Sequence, residues 1–171
     1  MSNVLDALNK FGRDVRTGAR KELRSQKKNT SKSLSNSITF KTKVNKNSFE
    51  MDFFMEDYGK YIDKGVKGSK SSRKAPTSPY KYTNKMPPSK VFDKWSIRKG
   101  IAPRSEGGQF TKRKSLTFAI ARSIFLTGIE TTNFFTKPFE KEFKELPDEI
   151  IEAYGLDVED FLKFSLKNGN N

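Results

Sequence analysis

The side chains that could do chemistry are few, and their spacing gives them little to do. Glu149 with Glu152, and Glu159 with Asp160, are the candidate carboxylate pairs for acid–base work of the glycosidase type. Both pairs sit on helical sequence with Ile, Phe and Leu opposite, which reads as a solvated helix face. The chain has no His and no Cys. That removes imidazole acid–base catalysis, thiol nucleophiles, disulfides and zinc–thiolate sites. No aspartate cluster has metal-ligand spacing. Gly107-Gly108 lacks the following Lys-Ser/Thr of a phosphate loop, and Ser115 has no sequence-adjacent base. The residues therefore assign no catalytic, cofactor-binding or metal-binding position, and a non-enzymatic protein without cofactors is expected.

Charge is the stronger signal. The formal charge of the 171 residues is +14. Solubility alone asks for a magnitude of roughly 2–8. Residues 1–115 hold 28 Lys/Arg against 10 Asp/Glu, and residues 116–171 hold 6 against 10. One pole is basic and the other mildly acidic. Such a chain can attract nucleic acid, or stack head to tail against copies of itself. Tyr80, Tyr82, Phe92 and Trp95 lie among cations, as single-strand stacking needs, but Trp95 has helical spacing from Val91 and Phe92, which favours burial. No helix–turn–helix, RNA-recognition or zinc-finger pattern is present.

The elements that must carry these residues follow from periodicity. Val4, Leu8, Phe11, Val15, Ala19 and Leu23 make one face of a helix over residues 3–28, with Arg13, Arg16, Arg20 and Arg24 on the other. Membrane-surface binding suits such a helix less well than packing on its own domain. Residues 29–36 read as a turn. Ile38, Phe40, Thr42 and Val44 alternate, as do Phe49, Met51, Phe53 and Met55, so a hairpin turning at residues 45–48 is expected. Tyr58, Tyr61 and Ile62 share a short helical face ended by Gly65. Residues 66–88 form a long basic loop with six Lys/Arg, four Pro and no acid. Its composition predicts mobility until a neighbour orders it. A helix with Val91, Phe92 and Trp95 stops at Gly100, and a second polar loop covers residues 103–114.

Residues 115–129 are the longest apolar-periodic run, with Ser115 as cap and Gly128 as terminator. They predict a central helix buried on most sides, anchored to the sheet by Phe134 and Phe135. Arg122 in the run, and its length, exclude a membrane span. A helix with Phe139, Phe143 and Leu146 inward follows Thr136 and Pro138 and ends at Pro147. Two further helical pieces cover Asp148–Tyr154 and the run with Val158, Phe161, Leu162 and Leu166. The apolar content is 33%, about 40% with the 11 Gly, against roughly 45–50% in a typical domain. The core is lean, and 15 Phe carry much of it. The fold class is α+β: helices packed on a small antiparallel sheet in one domain, with long basic loops and a helical C-terminal extension.

The order of these pieces resembles the tail-completion and head–tail joining proteins of tailed bacteriophages. The likeness rests on Tyr58-Gly59-Lys60-Tyr61-Ile62-Asp63-Lys64-Gly65 after the strands. It continues from Ile120-Ala121-Arg122-Ser123-Ile124 through Gly128-Ile129 to Phe134-Phe135. It covers roughly residues 5–140; residues 1–140 would be the family-like domain and residues 141–171 a helical C-terminal extension. The loop of residues 66–88 is also longer and more basic than the family pattern. The resemblance implies a virion protein, assembled in the bacterial cytoplasm, whose copies form a ring in the neck or tail around the DNA channel. Partners would be copies of itself, neighbouring neck or tail proteins, and DNA contacted non-specifically, with no membrane partner. Subunit-interface candidates are Tyr58, Tyr61, Tyr80, Tyr82 and Met86. Arg13, Arg16, Arg20, Arg24, Lys70, Arg73 and Lys74 are candidates to face DNA or an acidic neighbour. The first residues form no secretory apolar stretch. A basic accessory DNA-binding protein is the alternative.

Overall fold

The computed structural model describes residues 2–44, 48–102, 104–110 and 112–146. The expected α+β class is what it shows. The chain divides into two compact units: residues 1–63 with the segment from Asn133 onward, and an inserted unit of residues 64–132.

The first unit is built on α1 (Ser2–Ser25) and a hairpin of β1 (Thr39–Val44) with β2 (Phe49–Phe54). Steps of three and four put Leu8, Phe11, Val15, Ala19 and Leu23 on one stripe of α1, and all five are buried. The register pairs Phe40 with Phe53 and Thr42 with Met51. Strand alternation then turns Met51 and Phe53 inward, while Lys41, Lys43 and Glu50 stay outside. Lys41 lies opposite Asp52 and Lys43 opposite Glu50, so the register also pairs unlike charges. Gly12 lets α1 approach closely, because a Cβ there would collide with Met51 and Phe40.

The short α2 (Ser33–Ser37) occupies the stretch expected to be a plain turn. Its one large apolar residue, Leu34, is buried in the core, which is why a helical turn forms there. α3 (Gly59–Lys64) follows the hairpin. It places Ile62 against the core and leaves Tyr58 and Tyr61 exposed. α6 (Thr136–Phe143) completes the unit, with Phe139, Phe143 and the following Leu146 buried as expected. Edge-to-face rings join these parts: Phe11 to Phe139 at 5.4 Å and Phe53 to Phe135 at 5.2 Å. Such pairs add about 0.5–1.5 kcal/mol each beyond burial.

The inserted unit contains β3 (Val66–Lys67), α4 (Val91–Arg98), α5 (Arg113–Thr127) and β4 (Gly128–Ile129). β3 and β4 pair antiparallel, a second sheet that the sequence reading did not foresee. The expected central helix is α5, but it is not the core. Its buried residues are Thr117 and Ala121, and Phe118 is 51% exposed. The apolar residues of α5 are spread around the helix rather than gathered on one face, so they do not make a buried stripe. It begins at Arg113 without a side-chain cap, so Ser115 lies inside it. Gly128 ends it as expected, at φ 84°. Phe134 and Phe135 are fully buried, but as members of the first unit's core with Phe53. The carboxylate pairs Glu149/Glu152 and Glu159/Asp160 and the last two predicted helical pieces lie outside the described residues, as does the tip of the hairpin at 45–47.

Candidate interaction surface

Asp63 is the buried carboxylate among the described residues of the first unit, and its work is structural. Its Oδ1 accepts the amides of Phe135 at 2.8 Å and Thr136 at 3.1 Å, and its Oδ2 accepts the Thr136 hydroxyl at 2.5 Å. Its backbone carbonyl accepts the amide of Asn133 at 2.9 Å. Asn133 takes the left-handed conformation at φ 50°, which Asn tolerates. The first amides of a helix have no internal partner, and a negative charge at that end is favoured by the dipole. Asp63 therefore caps α6 from a distant part of the chain. The acid of the Tyr-rich motif thus has an assigned place within the fold.

The basic face of α1 divides on inspection. Arg20 Nε donates to the carbonyl of Ser35 at 2.8 Å, and its Nη2 donates to that of Ile38 at 3.1 Å. These are orphan carbonyls at the end of α2, and one planar guanidinium satisfies them together. Arg16 lies 5.6 Å over the Phe40 ring. Arg24 turns back to the Arg20 carbonyl at 3.3 Å, while Arg13 is exposed. Arg20 and Arg16 hold the fold, which makes them poor candidates for contacting an outside partner.

Charge follows the two units closely. Residues 64–132 hold 16 Lys/Arg and three Asp/Glu, a balance of +13. The rest of the chain holds 18 and 17, a balance of +1. Nearly the whole net charge sits on the inserted unit. That unit also buries little apolar bulk. Val66, Ala75 and Ala121 are its buried apolar residues, and none of Phe92, Phe110, Phe118 and Phe125 is buried.

Residues 67–82 of the long basic loop are laced by hydrogen bonds within this unit. Ser69 and Lys70 donate backbone amides to the carbonyls of Phe125 and Leu126, at 2.8 and 3.1 Å. Lys67 and Tyr80 share an amide–carbonyl bond of 2.9 Å, and Tyr82 donates to the Lys67 carbonyl at 2.9 Å. The Ser78 hydroxyl donates to the Gly65 carbonyl at 2.7 Å, and Ala75 and Ser78 are buried. Backbone bonding, rather than apolar burial, offsets the ordering entropy. Gly128 permits this close lacing: a Cβ there would strike the Val66 carbonyl oxygen.

The interface candidates fall in different units. Tyr58 and Tyr61 belong to the first, where Lys60 Nζ lies 5.4 Å over the Tyr61 ring. Tyr80, Tyr82 and Met86 belong to the second and are half-buried. The Tyr82 ring lies 6.1 Å from Phe125, and burial raises its phenol above the usual tyrosine value. Lys70, Arg73 and Lys74 are exposed, with Lys74 Nζ donating to the Thr127 hydroxyl at 2.9 Å.

Sequence reasoning passed over the most exposed apolar groups. Val91, Trp95 and Ile97 of α4, with Ile101, Phe110 and Phe118, are all exposed large hydrophobics of the inserted unit. Trp95, expected to be buried, is 38% exposed. Its helix buries only Ser96, because residues i and i+4 of the Val91–Trp95 stripe face outward. Arg104 lies 4.6 Å over the Phe110 ring. The signal available in the sequence was a Lys or Arg directly beside three of them, Val91, Trp95 and Ile97.

Among the described residues, no group of three His, Cys, Asp or Glu could hold a metal ion. Among them, no helix is long and apolar enough to cross a membrane. Comparison with protein-family models, curated proteins and solved structures finds no match.

Proposed function

We propose that this chain is a structural virion protein, one subunit of an oligomeric ring in the neck or tail of a tailed bacteriophage. The ring would join head to tail around the DNA channel, and the chain would work there without a cofactor or catalytic step. The observation that carries this reading is the inserted unit. It holds a charge balance of +13 and leaves six large hydrophobic side chains exposed. A surface both apolar and charged is built for a partner. The resemblance of the chain's order of elements to the head–tail joining proteins supplies the setting. Quantitative mass spectrometry of purified particles tests it. A fixed, integral copy number per particle is expected, and absence from particles would refute it.

The same charge favours a second reading, a basic accessory protein that binds DNA without sequence preference. Contacts to phosphates release counterions, so log affinity should fall with log salt at a slope of about −0.9 per phosphate neutralised. An accessory binder would show that slope and be missing from particles.

A further inference from the structure

Two neighbouring helices of the inserted unit each expose apolar side chains next to cations. On α5, Lys114, Phe118 and Arg122 stand one turn apart, and all three are exposed. On α4, Val91, Trp95 and Arg98 share a face and are exposed. Asp93 and Arg113 tie α4 to the start of α5 at 3.8 Å. The α5 face is an aromatic ring flanked by cations, and the α4 face is two apolar side chains followed by one cation. Nucleic acid would use the rings and the charges, but it offers nothing to Val91, Ile97 and Ile101. Aliphatic side chains at 59%, 54% and 39% exposure call for an apolar partner.

The chain itself contains a segment of the opposite kind. Residues 148–171 hold six Asp/Glu and two Lys. Asp157, Glu159 and Asp160 are interspersed there with Val158, Phe161 and Leu162. We infer that the acidic, apolar C-terminal segment of one copy docks on the basic, apolar face of α4 and α5 of a second copy. Both halves of the match come from one sequence: cation to acid, and exposed ring or aliphatic to Phe161 and Leu162. A contact between two different surfaces is head-to-tail, and such contacts close into rings when the rotation allows. The inference deepens the ring reading and rests on it for its biological role.

Sedimentation velocity of the full chain tests it, with charge reversals on either side. The parent should associate at low salt and fall apart near 1 M salt, where the screening length is about 3 Å. Lys114→Glu with Arg122→Glu should abolish association, and so should Glu159→Lys with Asp160→Lys. Mixing the two variants should restore it, because each supplies the half the other lacks. Phe118→Ser should weaken association without changing charge. Circular dichroism checks that each variant keeps the parent's helix content, and Phe118→Ser serves if a reversal fails to fold. A monomeric parent, or association indifferent to both reversals, overturns the inference. So does loss of binding to an oligothymidine strand by the α5 reversal with self-association intact, which would assign the face to nucleic acid. The ring reading fails by a different result, absence of the chain from particles.

Discussion

The Asp63 carboxylate meets the Thr136 hydroxyl at 2.5 Å across 73 residues of chain, and through it α6 is fixed to the end of α3. Removing a buried acceptor strands the amides of Phe135 and Thr136. Asp63→Ala should cost about 2–4 kcal/mol, since charged hydrogen bonds contribute about 1.5–3 and unmet donors add to the loss. Asp63→Asn keeps one acceptor and should cost less. Urea unfolding midpoints order the three proteins, and an Ala variant as stable as the parent would contradict the cap.

Arg20 and Arg13 share a helix but not a role. Arg20→Lys cannot span the carbonyls of Ser35 and Ile38, and should cost about 1–3 kcal/mol. Arg13→Ala should change stability by less than about 0.5 kcal/mol. Thermal melts of both variants check the division, and equal losses would contradict it.

The aromatic cluster should be the least tolerant part of the chain. Phe53→Ala or Phe135→Ala should cost about 3–5 kcal/mol, because each leaves a cavity among rings that relax little. Phe118→Ala should be nearly silent. Chemical denaturation distinguishes them, and similar losses at all three positions would place the core wrongly.

These contrasts also show what was legible in the sequence. The α1 stripe and the hairpin were readable because burial there follows strict periods, 3.6 for Leu8 to Leu23 and two for Met51 and Phe53. The helix at residues 115–129 misled because apolar count was read as burial. Its real inward residues, Thr117 and Ala121, are small. β3 and β4 are two residues each, too short to alternate. The roles of Asp63 and Arg20 depend on partners far along the chain, which spacing does not reveal. The bonds that lace residues 67–82 run along the backbone, which no composition displays.

Tyr82 should titrate late. Burial raises its phenol, so the folded state holds that proton above the pH at which the unfolded chain releases it. Its contribution to stability is complete below about pH 10 and is lost as pH rises beyond that. Absorbance titration at alkaline pH should show a lagging phenol that Tyr82→Phe removes. An unchanged curve in the variant would contradict the burial of that ring.

The laced part of the loop, residues 67–82, should resist trypsin in the isolated protein. Lys67 and Lys70 are held by backbone bonds to Tyr80, Tyr82 and Leu126, whereas Lys99 lies at the exposed end of α4. Cleavage should begin near Lys99 or Arg104. First cuts at Lys67 or Lys70 would mean that the loop is not laced as described.

A reconstruction of the neck and tail of purified particles would show whether this chain is built into a virion ring as proposed. The expected result is a closed ring of copies around the DNA axis, each showing the α1–hairpin–α6 core and its inserted unit. A particle whose neck and tail are fully accounted for by other chains would contradict it.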